Sequence, residues 1–270
     1  MTSPSVQQMA SNDLLARLSD EDRARLSGHM LVLEMNTGDT LQESGAEVVD
    51  TWFPCGRSMA AFCVSTHEGD GAIEVALIGR EGAIGGIVSN GKVPSYATAR
   101  VLYSGAFLRI KISALEQAKL DSISLRHWFS RYSDCLLAQV FQTAACNAVH
   151  TVTQRTAKWL LAAAARTGQM DFGVTQQQLA DMLGVGRSFV ARTVSRMREE
   201  NILGTRRGTF VIKDEVKLRT LACQCTTSIE NHLILCCTVF TQLGEGFADF
   251  MTERVGRCRG RICPPLQDVT

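Results

Sequence analysis

The stretch TQQQLADMLGVGRSFVARTVSRMR, Thr175 to Arg198, constrains the fold of this chain more than any other. Leu179, Ala180, Met182 and Leu183 lie on one face at helical spacing. Gly184 then breaks the pattern, and Val185 follows as an apolar plug. A second helix opening near Gly186 or Arg187 places Val190, Val194 and Met197 on one face at i, i+4 and i+7. Thr175 and Gln178 fit a capping box, in which the hydroxyl accepts from the N3 amide and the glutamine reaches back to the cap. Two helices joined by so short a turn must cross, leaving the N-terminal half of the second one protruding.

What protrudes is basic. Arg187, Arg192, Arg196 and Arg198 lie off the buried face, with Ser188 beside them, and no acid interrupts the run. An ordinary solvated helix face mixes its signs, whereas an acid-free run next to a positive dipole end suits a polyanion. Arginine also offers a planar fork that matches guanine O6 and N7. The stretch NILGTRRGTFVIKD predicts a strand, a basic turn at Arg206, Arg207 and Gly208, and a second strand over Phe210–Ile212. A basic hairpin directly behind a helix-turn-helix is a wing whose tip reaches phosphates.

Charge is distributed accordingly. Net charge is +1, yet residues 1–150 hold 12 Lys+Arg against 16 Asp+Glu, while residues 151–225 hold 12 against 6. A basic segment joined to an acidic one fits a nucleic-acid module attached to something else. No apolar run is long enough to span a bilayer, and the N-terminus lacks a secretory pattern, so the expected compartment is the cytoplasm.

From about His29 to Lys111, short β-rich runs alternate with Gly, Asn, Pro and Asp breaks, which predicts an antiparallel sandwich or barrel. Asn12 to Leu26 reads as a short helix ahead of it. Beyond Ser113 the texture is helical. A run without Pro or Gly places Leu125, Trp128, Phe129, Tyr132, Leu136, Val140 and Phe141 near helical spacing. This helix is either part of the core or a dimer seam, and pairing is the favoured reading. VTQRTAKWLLAAAART forms a further amphipathic helix, ended by Gly168.

The ten cysteines form no C-x-x-C pair and no finger-like cluster with histidine. A metal site needs about four converging ligands. The cysteines therefore read as small buried hydrophobes, and no metal ligand is assigned. Each of the five histidines reads as an ordinary polar residue rather than a haem ligand.

Taken together, these residues resemble the Crp/Fnr family of bacterial transcription regulators over about residues 10–225. The resemblance implies an α+β fold: an N-terminal antiparallel β-roll, a cyclic-nucleotide-binding-like jelly roll, over residues 1–120. A long dimerisation helix over 121–149 and a C-terminal winged helix-turn-helix over 150–225 would follow. It implies that Arg187, Ser188 and Arg192 read bases and that Thr175 and Gln177 contact phosphates. The family often carries Glu where Ser188 stands, so the operator sequence is not transferable. An effector pocket would lie by Gly82, Gly85 and Arg100. Ala83 and Pro94–Ser95 stand where cyclic-AMP-binding members carry Glu and Arg, which argues against cyclic AMP and leaves the effector unknown. The N-terminal cysteine cluster of iron–sulfur members is missing, since no cysteine precedes Cys55.

The implied protein is a homodimeric, non-enzymatic regulator of double-stranded DNA at a near-palindromic operator. RNA polymerase is a further candidate partner, and no membrane is involved. The competing readings are a thiol-based metal or redox protein and a ligand-binding module that docks a protein partner. Residues 226–270 extend past the family pattern, as an added helix with an unstructured end or an altered reading frame.

Overall fold

A computed structural model of the chain describes residues 4–65, 72–88, 93–206 and 208–238. Three short helices come first: α1 (Val6–Met9), α2 (Asp13–Ala16) and α3 (Asp20–Ser27). The single helix expected over Asn12–Leu26 is thus two. Asn12 caps α2 through the Leu14 and Leu15 amides, and Ser19 caps α3 through Asp22, so each cap starts its own helix.

The strands are β1 (Met30–Met35), β2 (Thr40–Gln42), β3 (Asp50–Pro54), β4 (Met59–Ser65), β5 (Ala72–Ile78), β6 (Thr98–Tyr103) and β7 (Gly105–Lys111). They form two antiparallel sheets, ordered β1-β7-β3 and β2-β6-β4-β5. Two helices follow, α4 (Ile112–Asp121) and α5 (Ile123–Val149). The last part runs α6 (Val152–Thr167), β8 (Asp171–Phe172), α7 (Gln176–Leu183), α8 (Arg187–Glu199), β9 (Leu203–Arg206), β10 (Thr209–Ile212), α9 (Glu215–Leu221) and α10 (Cys225–Thr238). The fold is mixed α+β: N-terminal antiparallel sheets, a long helix, and a C-terminal helix-turn-helix with a three-stranded sheet of order β8-β10-β9.

Strand alternation builds the layers. On β7, Phe107 points between the two sheets, whereas Leu108 and Ile110 point to the helical layer with Phe53, Leu14 and Leu15. On β4, Ala60 faces between the sheets while Met59 and Ala61 face outward. That outer face is not solvated. Met59, Ala61 and Leu77 share one apolar cluster with Leu160, Phe172, Leu179 and Val190 of the C-terminal part.

Two polar contacts cross the same boundary. The Trp159 indole donates to Glu74 at 2.9 Å, and Arg166 pairs with Glu81 at 2.7 Å. Burial raises the Glu74 carboxyl to about 7, against the opposing pull of the Trp159 hydrogen bond, Lys158 and Arg166.

The first half of α5 is core. Leu125, Trp128, Phe129 and Tyr132 bury against the helical layer, and the Trp128 indole donates to the Leu14 carbonyl at 3.1 Å. Leu136 and Val140 pack against the cluster between the sheets. The opposite face stays open, with Leu137 49% and Phe141 64% exposed. Of the apolar residues read from the sequence, only Phe141 therefore faces outward; the others are occupied within the chain.

Candidate nucleic-acid interface

The interface is held on a rigid corner. Thr175 caps α7 by accepting from the Gln178 amide at 3.1 Å, while the Gln178 side chain accepts from the Thr175 amide at 2.9 Å. Gly184 closes the helix at φ 61°, in the left-handed region where a Cβ is disfavoured. Its amide turns back to the Ala180 and Asp181 carbonyls, and the Val185 amide bonds Ala180 at 3.0 Å. A Cβ at Gly184 would also meet Ile73 of β5 at 3.0 Å, so the corner rests directly on the β-roll.

Beyond the corner, Val190, Val194 and Met197 are buried as the spacing requires. Arg187, Ser188, Arg192, Arg196 and Arg198 are all exposed. Gly186 caps α8 without a side-chain hydrogen bond. The first turn of α8 thus has no side chain standing in for an anion, which suits a phosphate oxygen.

The predicted residues fall into groups. Thr175, Gln177 and Arg187 line one groove together with Thr205 and Gly208 of the wing. Arg198 and Arg206 line a second groove, between α8 and β9, with Lys213. Ser188 and Arg192 stand exposed on α8 itself. Arg196 is engaged by Glu200 at 2.9 Å, one turn on, in an exposed pair of small energetic weight. Gln177 donates to Asp181 at 2.7 Å, which fixes its side chain along α7. Arg207 lies outside the described residues.

One residue of this surface escaped the sequence reading. Phe189 is 51% exposed, and the Arg192 guanidinium sits 4.8 Å from its ring centroid. The stacking pre-orients the arginine and leaves an apolar edge free for a thymine methyl. Its signal was available: an aromatic side chain off the Val190–Val194–Met197 face has no core to enter.

The suggested effector residues have separate neighbourhoods. A Cβ on Gly82 would meet the Tyr132 hydroxyl and Ile78, one on Gly85 the Asp50 carbonyl and Gln42, while Arg100 pairs in register with Thr40 and Ala61. Between the glycines, Ala83 is fully buried. Its amide donates to the Tyr132 hydroxyl, which in turn donates to the Ala83 carbonyl, both at 2.9 Å. Burial raises the Tyr132 pKa. Ser95 accepts from the Gln42 amide and donates to the Ala97 carbonyl at 2.6 Å. The Ala83 peptide group and the Ser95 hydroxyl are therefore satisfied from within the chain.

A capped helix, a glycine corner, an exposed basic helix and a strand hairpin behind it define a winged helix-turn-helix. Residues 154–221 match the family model described as the Crp-like helix-turn-helix domain. Over that span the chain is similar to Crp-like helix-turn-helix domains, and the molecule shares the fold of solved Crp/Fnr regulators.

Three solved structures share that fold. A putative transcriptional regulator of the Crp/Fnr family from Eubacterium rectale is 16% identical, with 77% of this chain and 96% of that one covered at a TM-score of 0.62. FixK2 from Bradyrhizobium japonicum is 15% identical, covering 72% and 98% at 0.60. The c-di-GMP-responsive global regulator CLP of Xanthomonas campestris is 16% identical, covering 73% and 100% at 0.59. No curated protein sequence matches the chain significantly. Among the described residues, no helix is long and apolar enough to cross a membrane.

Proposed function

We propose that the protein is a DNA-binding transcription regulator of the Crp/Fnr type that acts as a homodimer in the cytoplasm. The observation that carries this reading is the exposed, acid-free first half of α8, with Arg187 sharing a groove with Thr175, Gln177 and the wing. Arg187, Ser188 and Arg192 then meet base edges. Thr175, Gln177 and Arg206 position the backbone, and Arg207, next in the sequence, has the charge to add to that positioning. Dimerisation supports it too: Leu137, Phe141, Ala144, Ala145 and Ala148 expose a small-to-apolar stripe along α5, spaced for a helix pair. A two-fold dimer calls for a near-palindromic operator with half-sites about one helical turn apart.

The test is selection of a binding site from a random duplex library, followed by titration. Arg192→Ala is expected to weaken the selected site by about 1–3 kcal/mol and to relax preference at one position. Arg206→Ala is expected to weaken all sequences alike and lower the salt slope by about 1. Equal affinity of the wild type and an Arg187→Ala/Arg192→Ala double variant for the selected site would reject the assignment.

A further inference from the structure

Where the long helix ends and the winged part begins, four side chains that are distant in sequence come together. Cys146 and His150 are four residues apart at the end of α5 and so project from one face. Cys223 arrives from the link between α9 and α10, and Cys225 is the first residue of α10. The thiols of Cys146, Cys223 and Cys225 are buried, and His150 is partly buried. All four potential ligand atoms lie within 4.8 Å of one another.

Two of the separations match the edges of a coordination polyhedron, and the rest lie within 4.8 Å. In a tetrahedral zinc site, with bonds of about 2.3 Å to sulfur and about 2.0–2.1 Å to nitrogen, the edges are about 3.8 Å between sulfurs and about 3.6 Å from sulfur to nitrogen. Here Cys146 Sγ and Cys223 Sγ are 3.7 Å apart, and Cys225 Sγ and His150 Nδ1 are 3.6 Å apart. Sulfurs of a disulfide would have to approach to about 2.0 Å.

Two neighbouring groups favour anionic sulfur, against the burial that raises the Cys225 thiol. The Gln142 amide donates to Cys225 Sγ at 3.1 Å. Arg155, itself buried, lies in the electrostatic reach of Cys146 and Cys223, and its Nε has no hydrogen-bond partner among the described residues. The Arg155 guanidinium donates to the Leu183 carbonyl through Nη2, and a nearby anion would complete the compensation of its charge. Three thiolates on a divalent cation carry a net charge of −1, and Arg155 balances it.

We propose that Cys146, His150, Cys223 and Cys225 form a closed, tetrahedral Cys3His site for zinc(II) at the junction of α5, α6 and α10. Each thiol gives up its proton to solvent as the metal enters. Four protein ligands leave no open position, so the site is a clamp rather than a catalytic centre. It ties the C-terminal end of α5 to the chain that leaves the winged part. Gln142 and Arg155 act outside the coordination shell, orienting and neutralising the sulfurs.

The test uses the full chain, purified under reducing conditions, stripped with a chelator and titrated with zinc against a chromophoric competitor. One tightly held zinc per chain is expected, and cobalt(II) in its place should show tetrahedral ligand-field bands with thiolate charge transfer. Cys146→Ser and Cys223→Ser should each abolish the tight equivalent, and Gln142→Leu should weaken it roughly 10–100-fold. A Cys135→Ser/Cys236→Ser variant should keep it, since Cys135, His232 and Cys236 form a separate group. Failure of the wild type to hold stoichiometric zinc overturns the proposal without recourse to any variant. Loss of the tight zinc in the Cys135/Cys236 variant but not in the Cys146 and Cys223 variants also overturns it.

Discussion

At the scale of single residues, the largest consequences come from side chains that satisfy groups the chain buries. Tyr132 reaches from α5 to take both the amide and the carbonyl of Ala83. Tyr132→Phe leaves both unpaired in a dry environment, at a cost of about 1–3 kcal/mol. Urea denaturation should show a lowered midpoint of that order with an unchanged slope; a midpoint equal to the wild type would refute this role. Ala83 illustrates what sequence could and could not convey. Its departure from the cyclic-AMP pattern was legible from position alone. That a tyrosine about fifty residues away would take over its peptide group was not, because nothing in local spacing records a long-range hydrogen bond.

At the scale of elements, alternation and helical period did most of the work. Each of β1 and β3 to β7 coincides with one of the short β-rich runs between breakers, and Gly168 ends α6 in the left-handed conformation as its position suggests. β2 spans three residues, too few to show alternation, and was missed. The zinc-type cluster was invisible for another reason: Cys146 and Cys223 are 77 positions apart and share no motif. α10 (Cys225–Thr238) carries the chain into the residues past the family pattern, and those beyond Thr238 lie outside the described residues.

The contact between β5 and α6 carries a pH signature. Glu74 is partly exposed as a residue, but its carboxylate is enclosed, and burial lifts it to about 7 from 4.5. A folded-state value above the unfolded one gives stability that is fully present below about 4.5 and lost as pH rises through 7. Hydrogen exchange in α6 should therefore quicken from about pH 4.5 to about pH 7 beyond its intrinsic rate and level off above that, and Glu74→Gln should flatten the trend. An identical trend in both proteins would remove Glu74 from the account.

At the scale of the whole molecule, α5 has one occupied face and one open face. One carries Leu125, Trp128, Phe129 and Tyr132 into its own β-roll, and the other presents Leu137 and Phe141 outward. Phe141→Asp should shift the assembly to monomer in sedimentation velocity, with loss of tight binding to a two-half-site operator and little loss of folded structure. A dimer that persists in that variant would place the seam elsewhere.

The outer face of β4 and β5 has a thermodynamic consequence for signalling. Met59, Ala61 and Leu77 share one apolar cluster with the winged part, so α7 and α8 cannot swing free of the β-roll without wetting it. Such an opening must carry a positive heat-capacity change in proportion to the apolar area exposed. The balance between docked and released forms is then curved in temperature, and an effector that releases the winged part would leave this curvature as a calorimetric trace of where it acts.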